Sequence, residues 1–230
     1  MILNWIIDFF HLFFPKKCVV CGGALGEKDH YLCVSCHAHL PRTGYYLEED
    51  NDVARLFWGK VSLIHAASYF YYSKGSDYCR ILYRLKYHYC KEIGEVMGRY
   101  MAAEMQGSMF FEGIDLIVPV PLHKKKQRLR GYNQCEWIAK GVSAVTGIPV
   151  KTSGLVRIVD NSTQTKKSAH ERWENVQNIF SVVPSAEFAN KHILLIDDVL
   201  TTGATLYACA AVLKELEGVE VSILTLAVAR

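Results

Sequence analysis

Residues 192–206, reading HILLIDDVLTTGATL from His192 to Leu206, form the stretch around which the rest of the chain is organised. The apolar run Ile193-Leu194-Leu195-Ile196 is too short for an independent helix and has the composition of a strand buried on both faces of a parallel sheet. It stops at two adjacent carboxylates, Asp197 and Asp198. Small and hydroxylated residues follow, Thr201-Thr202-Gly203-Ala204-Thr205, and then Leu206, Ala210, Leu213 and Leu216 recur at helical spacing. The order is strand, acid pair, small polar loop, helix.

A tight loop that opens a helix offers backbone N–H groups and the positive end of the helix dipole to an anion, and phosphate is the natural guest. The acid pair repels a phosphate, but it can accept hydrogen bonds from sugar hydroxyls or share a Mg²⁺ ion. Together the two features describe a site for a phosphorylated sugar with a metal. The plain alternative is a helix cap and an ordinary turn. Two carboxylates at a buried strand edge are, however, a costly way to make a cap that one Asp supplies.

The same stretch resembles the phosphoribosyl-pyrophosphate (PRPP) signature of type I phosphoribosyltransferases: four apolar residues, two acids, and a Thr-Thr-Gly-x-Thr loop. That resemblance assigns Asp197 and Asp198 to the ribose hydroxyls and Mg²⁺, as the catalytic acid pair. It assigns Thr201, Thr202, Gly203, Ala204 and Thr205 to the 5′-phosphate.

The chain has 230 residues, half of them hydrophobic, which is ample for a core and excludes a disordered protein. The net charge of +3 argues only weakly for an anionic partner, so local clusters matter more. The apolar N-terminus, MILNWIIDFFHLFFP, lacks a basic n-region and a small-residue cleavage site and is too short to span a bilayer. Two readings stand: a helix packed on the domain that follows, or a contact with the membrane surface. Either one places the chain in the cytoplasm, in the second case at the inner face of the membrane.

Eight cysteines fall into two groups. Cys79, Cys90, Cys135 and Cys209 are scattered, whereas Cys18, Cys21, Cys33 and Cys36 form two C-x-x-C pairs. In a reducing compartment such pairs favour metal over disulfide. Four thiolates satisfy a structural Zn²⁺ with no open position, and the hairpin around Gly26–Asp29 closes the gap between the pairs. His37 and His39 are left as exposed residues after the second turn. The expected result is a small zinc-stapled module over residues 1–60, with a second domain over residues 61–230.

Along that second domain the sequence reads as a strand at His65–Tyr72 and helices at Tyr78–Tyr87 and Lys91–Met105. A strand at Ile114–Val120 follows. In the first helix Ile81, Leu82 and Leu85 face inward, while Arg80, Arg84 and Lys86 are placed outside, Arg84 and Lys86 either solvated or lining an anion groove. After the strand at Ile114–Val120 comes the most basic segment, His123 to Gln134, with five cations in the seven residues Lys124–Arg130. Read as a loop at a strand's carboxyl end, it shares an edge with the acid pair and suits a pyrophosphate.

This segment, VPVPLHKKKQRLRGYNQ, resembles that of the ComF family, phosphoribosyltransferase-like proteins associated with bacterial competence, whose Arg-Gly-x-Asn-Gln core is matched by Arg130-Gly131-Tyr132-Asn133-Gln134. The resemblance places pyrophosphate at Arg130, Gly131 and Lys126. Residues 161–178 resemble the hood that closes over PRPP, with Gln164, Thr165, Arg172 and Asn175 following the family pattern, and Phe180 after them. It implies an α/β fold of the type I phosphoribosyltransferase kind, a mostly parallel sheet flanked by helices, with the zinc module at its N-terminus. It also implies Mg²⁺-dependent 5-phosphoribosyl transfer, a role in single-stranded DNA uptake during transformation beside a competence helicase, or both. The alternative is a protein that binds a nucleotide or DNA without catalysis, or a PRPP sensor.

Overall fold

The computed structural model describes residues 16–27, 29–87, 90–159, 179–183 and 187–230. The apolar N-terminal segment and the hood residues Gln164, Thr165, Arg172 and Asn175 lie outside them.

The described chain begins with the four-cysteine segment, which leads into helix α1 (Val34–Ala38) and, past Tyr45–Leu47, into helix α2 (Asp52–Arg55). Strand β1 (Ala66–Tyr72) follows, then helices α3 (Cys79–Tyr87) and α4 (Glu92–Met105) and strand β2 (Leu116–Pro119). Helices α5 (Lys124–Arg130) and α6 (Gln134–Thr146) precede a two-stranded antiparallel hairpin of β3 (Leu155–Arg157) and β4 (Phe180–Val182). Strand β5 (His192–Leu200), helix α7 (Ala204–Lys214) and strand β6 (Glu220–Ala229) complete the fold.

The central sheet is parallel throughout, in the order β1-β6-β5-β2. A further parallel bridge from Ile117 to Val150 extends it beyond β2. Burial on both faces explains the apolar run of β5: Ile193, Leu194, Leu195 and Ile196 are fully buried. Contrary to the sequence reading, the strand does not end at Ile196. Its ladder with β6 continues through Asp197↔Thr225 to Leu200↔Val228, so both acids are held by strand backbone.

Chain direction locates the site. After β2 the chain moves outward to Val150, whereas after β5 it moves the other way to β6. The neighbouring carboxyl ends of β2 and β5 therefore form the switch point where α/β sheets open a crevice for ligands.

Helix α6 is carried to this crevice by an unusually close contact with α4. A Cβ on Gly98 would stand 2.3 Å from the Ile138 carbonyl oxygen, and one on Gly141 would stand 2.1 Å from that of Glu95. Only glycine allows the two backbones to approach this closely. The chain at residues 41–43 is joined to the opposite edge of the sheet. Arg42 bridges antiparallel to Phe70 of β1, with Thr43 N donating to the Tyr69 carbonyl at 3.0 Å and Tyr71 N to that of Pro41 at 2.8 Å.

Candidate functional site

Asp197 and Asp198, adjacent near the carboxyl end of β5, are held differently. The Asp197 carboxylate accepts two hydrogen bonds on Oδ1, from Asp198 N at 2.8 Å and from the Cys135 thiol at 3.2 Å. Burial, followed by the neighbouring Asp198 charge, raises its pKa to about 7 despite these donors and Lys86. Cys135, at the start of α6, has its own pKa pushed well up by burial and then by Asp197, so it stays a protonated donor. Asp198 is paired through Oδ1 with Lys86 Nζ at 2.9 Å. Its Oδ2 is buried with no hydrogen-bond partner among the described residues. An orphaned carboxylate oxygen in a buried setting is costly and points to an absent ligand group.

After Leu200 the chain turns through Thr201 and Thr202 to Gly203, which sits at the N-cap of α7 with φ of +79° and offers no side-chain cap. The first N–H groups of α7 have no partner inside the helix by geometry, and no cap competes for them. Thr201 is exposed, Thr202 and Thr205 are half-buried, and Gly203 and Ala204 are buried. A side chain at Gly203 would meet the Phe57 ring at 3.2 Å, so an aromatic just past α2 supports the loop from behind.

The basic segment is a helix rather than a loop. In α5, His123 Nδ1 accepts from Lys125 N at 3.4 Å at one end, and Gly131 closes the other in the left-handed conformation. Lys124, Lys125 and Arg128 are exposed, whereas Lys126 and Arg130, four residues apart on one face, are half-buried. Arg130 donates to Gln134 Oε1 at 2.8 Å, and its guanidinium lies 5.6 Å from the centre of the Tyr87 ring.

Much of the Arg-Gly-Tyr-Asn-Gln stretch is architecture. Asn133 caps α6 by accepting from Cys135 N at 3.1 Å and donates to the Val120 carbonyl at 3.0 Å, which ties the helix to the end of β2. Tyr132 donates its hydroxyl hydrogen to the Leu85 carbonyl, which ties the same stretch to α3.

The structure thus brings Asp197, Asp198 and the Thr201–Thr205 loop together at the ends of β5 and α7. It sets Arg130 beside Tyr87, the neighbour of the Asp198 partner Lys86. Sequence reasoning missed Cys135, and it read Lys86 as solvated or lining an anion groove rather than as the partner of Asp198. Lys86 was placed on the outer face of its helix, yet it lies four residues after the buried Leu82, and that spacing puts it at the edge of the inner face. Cys135 carried no separate signal beyond its position one residue after the motif.

Near the start of the described chain the four Sγ atoms of Cys18, Cys21, Cys33 and Cys36 lie within 4.8 Å of one another. Cys21 and Cys33 are 3.8 Å apart, close to the separation of about 3.8 Å that tetrahedral Zn–S bonds of about 2.3 Å impose. Gly23 N and Cys36 N donate to the sulfurs of Cys21 and Cys33 at 3.4 and 3.5 Å. Burial pushes the Cys18 thiol up, but backbone N–H groups of Cys21, Cys33 and Val20 outweigh it and bring the pKa down to about 7. The donor set fits a closed structural Zn²⁺ site.

Comparison with known proteins agrees with this geometry. Residues 139–230 match the phosphoribosyl transferase domain. The chain is 28% identical to competence protein F of Haemophilus influenzae, over 90% of this chain and 94% of that protein. It is 27% identical to the DNA utilization protein YhgH of Escherichia coli K12, over 85% and 83% of the two chains. To competence protein ComFC of Bacillus subtilis it is 37% identical over 44% of this chain and 38% of that one. The parallel sheet, the acid pair at its switch point and the domain match define a type I phosphoribosyltransferase fold with a four-cysteine cluster at its N-terminus. Within that class the chain is similar to the competence proteins F and ComFC, whose sequences it resembles over 90% and 44% of its length respectively. No helix among the described residues is long and apolar enough to cross a membrane.

Proposed function

We propose that the crevice binds PRPP with Mg²⁺ and that the chain transfers the 5-phosphoribosyl group, as a phosphoribosyltransferase of the glycosyltransferase class. In this reading the 5′-phosphate sits on the Thr201–Thr205 loop at the amino end of α7. Asp197 and Asp198 take the ribose hydroxyls and hold Mg²⁺, a hard cation suited to carboxylate oxygens. Lys126 and Arg130 face the pyrophosphate, with Gly131 ending the helix that carries them. Gln164, Thr165, Arg172 and Asn175 would belong to the hood.

The observation that carries the reading is the buried Asp198 Oδ2, left without a partner beside an uncapped helix start at the sheet's switch point. Two carboxylates are well matched to an oxocarbenium-like ribose, and the cations to a departing pyrophosphate. Catalysis would come from positioning and charge stabilisation. Mg²⁺ would supply charge neutralisation of the pyrophosphate. Residues 1–60 would form the module stapled by Zn²⁺, and residues 61–230 the transferase-like domain.

The test is calorimetry of PRPP with Mg²⁺ on the full chain and on a variant carrying Asp197→Asn and Asp198→Asn. Binding is expected in the first and its loss in the second, and unchanged affinity would refute the site. Pyrophosphate release on incubation with candidate bases then separates a transferase from a PRPP sensor.

A second reading, binding of a nucleotide or single-stranded DNA, is favoured by a specific surface. Tyr83 and Tyr87 are exposed with ring centroids 5.2 Å apart, and the Arg130 guanidinium of α5 lies 5.6 Å from the centre of the Tyr87 ring, an arrangement suited to base stacking and backbone contact. The names of the relatives, competence and DNA utilization proteins, point the same way. A salt-sensitive gel shift that weakens on charge reversal at Lys124–Lys126 would support it, and no shift at low salt would count against it.

A further inference from the structure

We infer that Lys86 is the resident counter-cation of Asp198 in the acid pair and is handed over to the pyrophosphate of the incoming ligand, so that this carboxylate is released for sugar and metal only when ligand arrives. The inference rests on the PRPP reading and adds to it a residue outside every motif. Two adjacent carboxylates at a buried strand end would otherwise carry two negative charges in a poorly solvated crevice. Lys86 answers this in the ligand-free chain. Its Nζ lies 2.9 Å from Asp198 Oδ1, and only about a quarter of its side chain is exposed. The pairing is local, leaving Asp198 Oδ2 without a partner among the described residues, as expected of a placeholder that matches the charge but not the full hydrogen-bonding capacity of the site.

The residues on either side of Lys86 contact the segment assigned to the pyrophosphate. Tyr87, the next residue, carries the Arg130 guanidinium 5.6 Å from its ring centre, and Tyr132 donates to the Leu85 carbonyl on the other side of Lys86. The end of α3 is thereby fixed between the acid pair and the cationic face of α5. Lysine suits a handover because its ammonium is a compact charge on a flexible four-carbon stem. Asp198 would hold Mg²⁺, whose charge would replace that of Lys86, and the ammonium would then be free to turn to the pyrophosphate without moving the helix.

The handover predicts changes of opposite sign in two measurements on the full chain. Removing the cation by Lys86→Met should strengthen binding of Mn²⁺ alone, followed by electron paramagnetic resonance, by about tenfold or more. The same variant should weaken calorimetric affinity for Mg²⁺ with PRPP by about tenfold or more. Lys86→Arg, which keeps the charge, should leave Mn²⁺ binding low. Lys86→Gln serves as a second neutral variant should the methionine protein fail to fold. If the unsubstituted chain does not bind PRPP, the PRPP reading itself fails. If it binds, and the neutral variants move both affinities in the same direction or move neither, the handover alone is overturned and Lys86 is a structural ion-pair partner.

Discussion

Asp197 is where the chemistry of single residues makes the clearest demand. A carboxyl whose pKa is raised to about 7 by burial and by Asp198 prefers its proton in the folded chain, whereas in the unfolded chain it ionises near the ordinary value of about 3.9. Between those two values the folded state binds more protons than the unfolded state. Stability attributable to this group is therefore present below about pH 4 and is lost as pH rises toward 7, with an upper limit of about 4 kcal/mol. Asp197→Asn, which is uncharged at every pH, should stabilise the ligand-free chain at pH 8 and flatten this part of the pH dependence in urea titrations. On the proposed PRPP reading ligand binding should show the opposite sense, because sugar and Mg²⁺ would need the ionised carboxylate: PRPP affinity should rise as pH increases through about 7. A PRPP affinity that is flat between pH 6 and 8 would show that Asp197 ionisation is not linked to binding.

Among the elements, the packing of α4 on α6 positions the crevice wall. Gly98 and Gly141 face one another's backbones, and Glu95 on the same face of α4 is paired with Lys140 at 2.7 Å and Arg99 at 2.9 Å. An added methyl at Gly141 cannot be absorbed by a flexible side chain, since its neighbours are the Glu95 carbonyl oxygen and Arg99 N. Gly141→Ala should force the helices apart and cost about 1–3 kcal/mol in unfolding free energy, even though alanine favours a helix by about 1 kcal/mol over glycine. Because α6 begins at the Asn133 cap and carries Cys135, the same substitution should weaken PRPP binding. A variant as stable as the parent would show that the helices separate without strain. The elements also show where sequence reasoning reaches its limit. Strand β5, the start of α7 and the four-cysteine cluster were legible because their apolar run, loop and thiol spacing are local. The helical form of Lys124–Arg130 was hidden by its charge density, which reads as solvated chain until the cap at His123 and the turn at Gly131 are seen. The Lys86–Asp198 pair joins residues more than a hundred positions apart, and no local pattern encodes it.

For the whole molecule, the four-cysteine segment and the crevice are mechanically connected although they lie at opposite ends of the described sequence. Arg80 donates to the Val20 carbonyl at 2.6 Å and Tyr78 donates to that of Cys36 at 3.1 Å, so the cysteine turns grip α3 and the residues just before it, the helix that carries Lys86. Arg42 bridges to β1, and Phe57 packs behind the Thr201–Thr205 loop at Gly203. A Zn²⁺ ion bound by four thiolates would hold the segment from which these contacts start, and such small modules lose their fold when the metal leaves. The purified chain should contain one equivalent of zinc. Its removal by a strong chelator, or Cys33→Ser, should strip hydrogen-exchange protection from residues 16–40 first. Protection in β5 and β6, at the sheet centre, should persist. PRPP affinity should fall with the loss of zinc, because α3 and its Lys86 are no longer anchored from the cysteine side. Retained affinity in zinc-free protein that has lost protection in residues 16–40 would show that the crevice is positioned by the sheet alone.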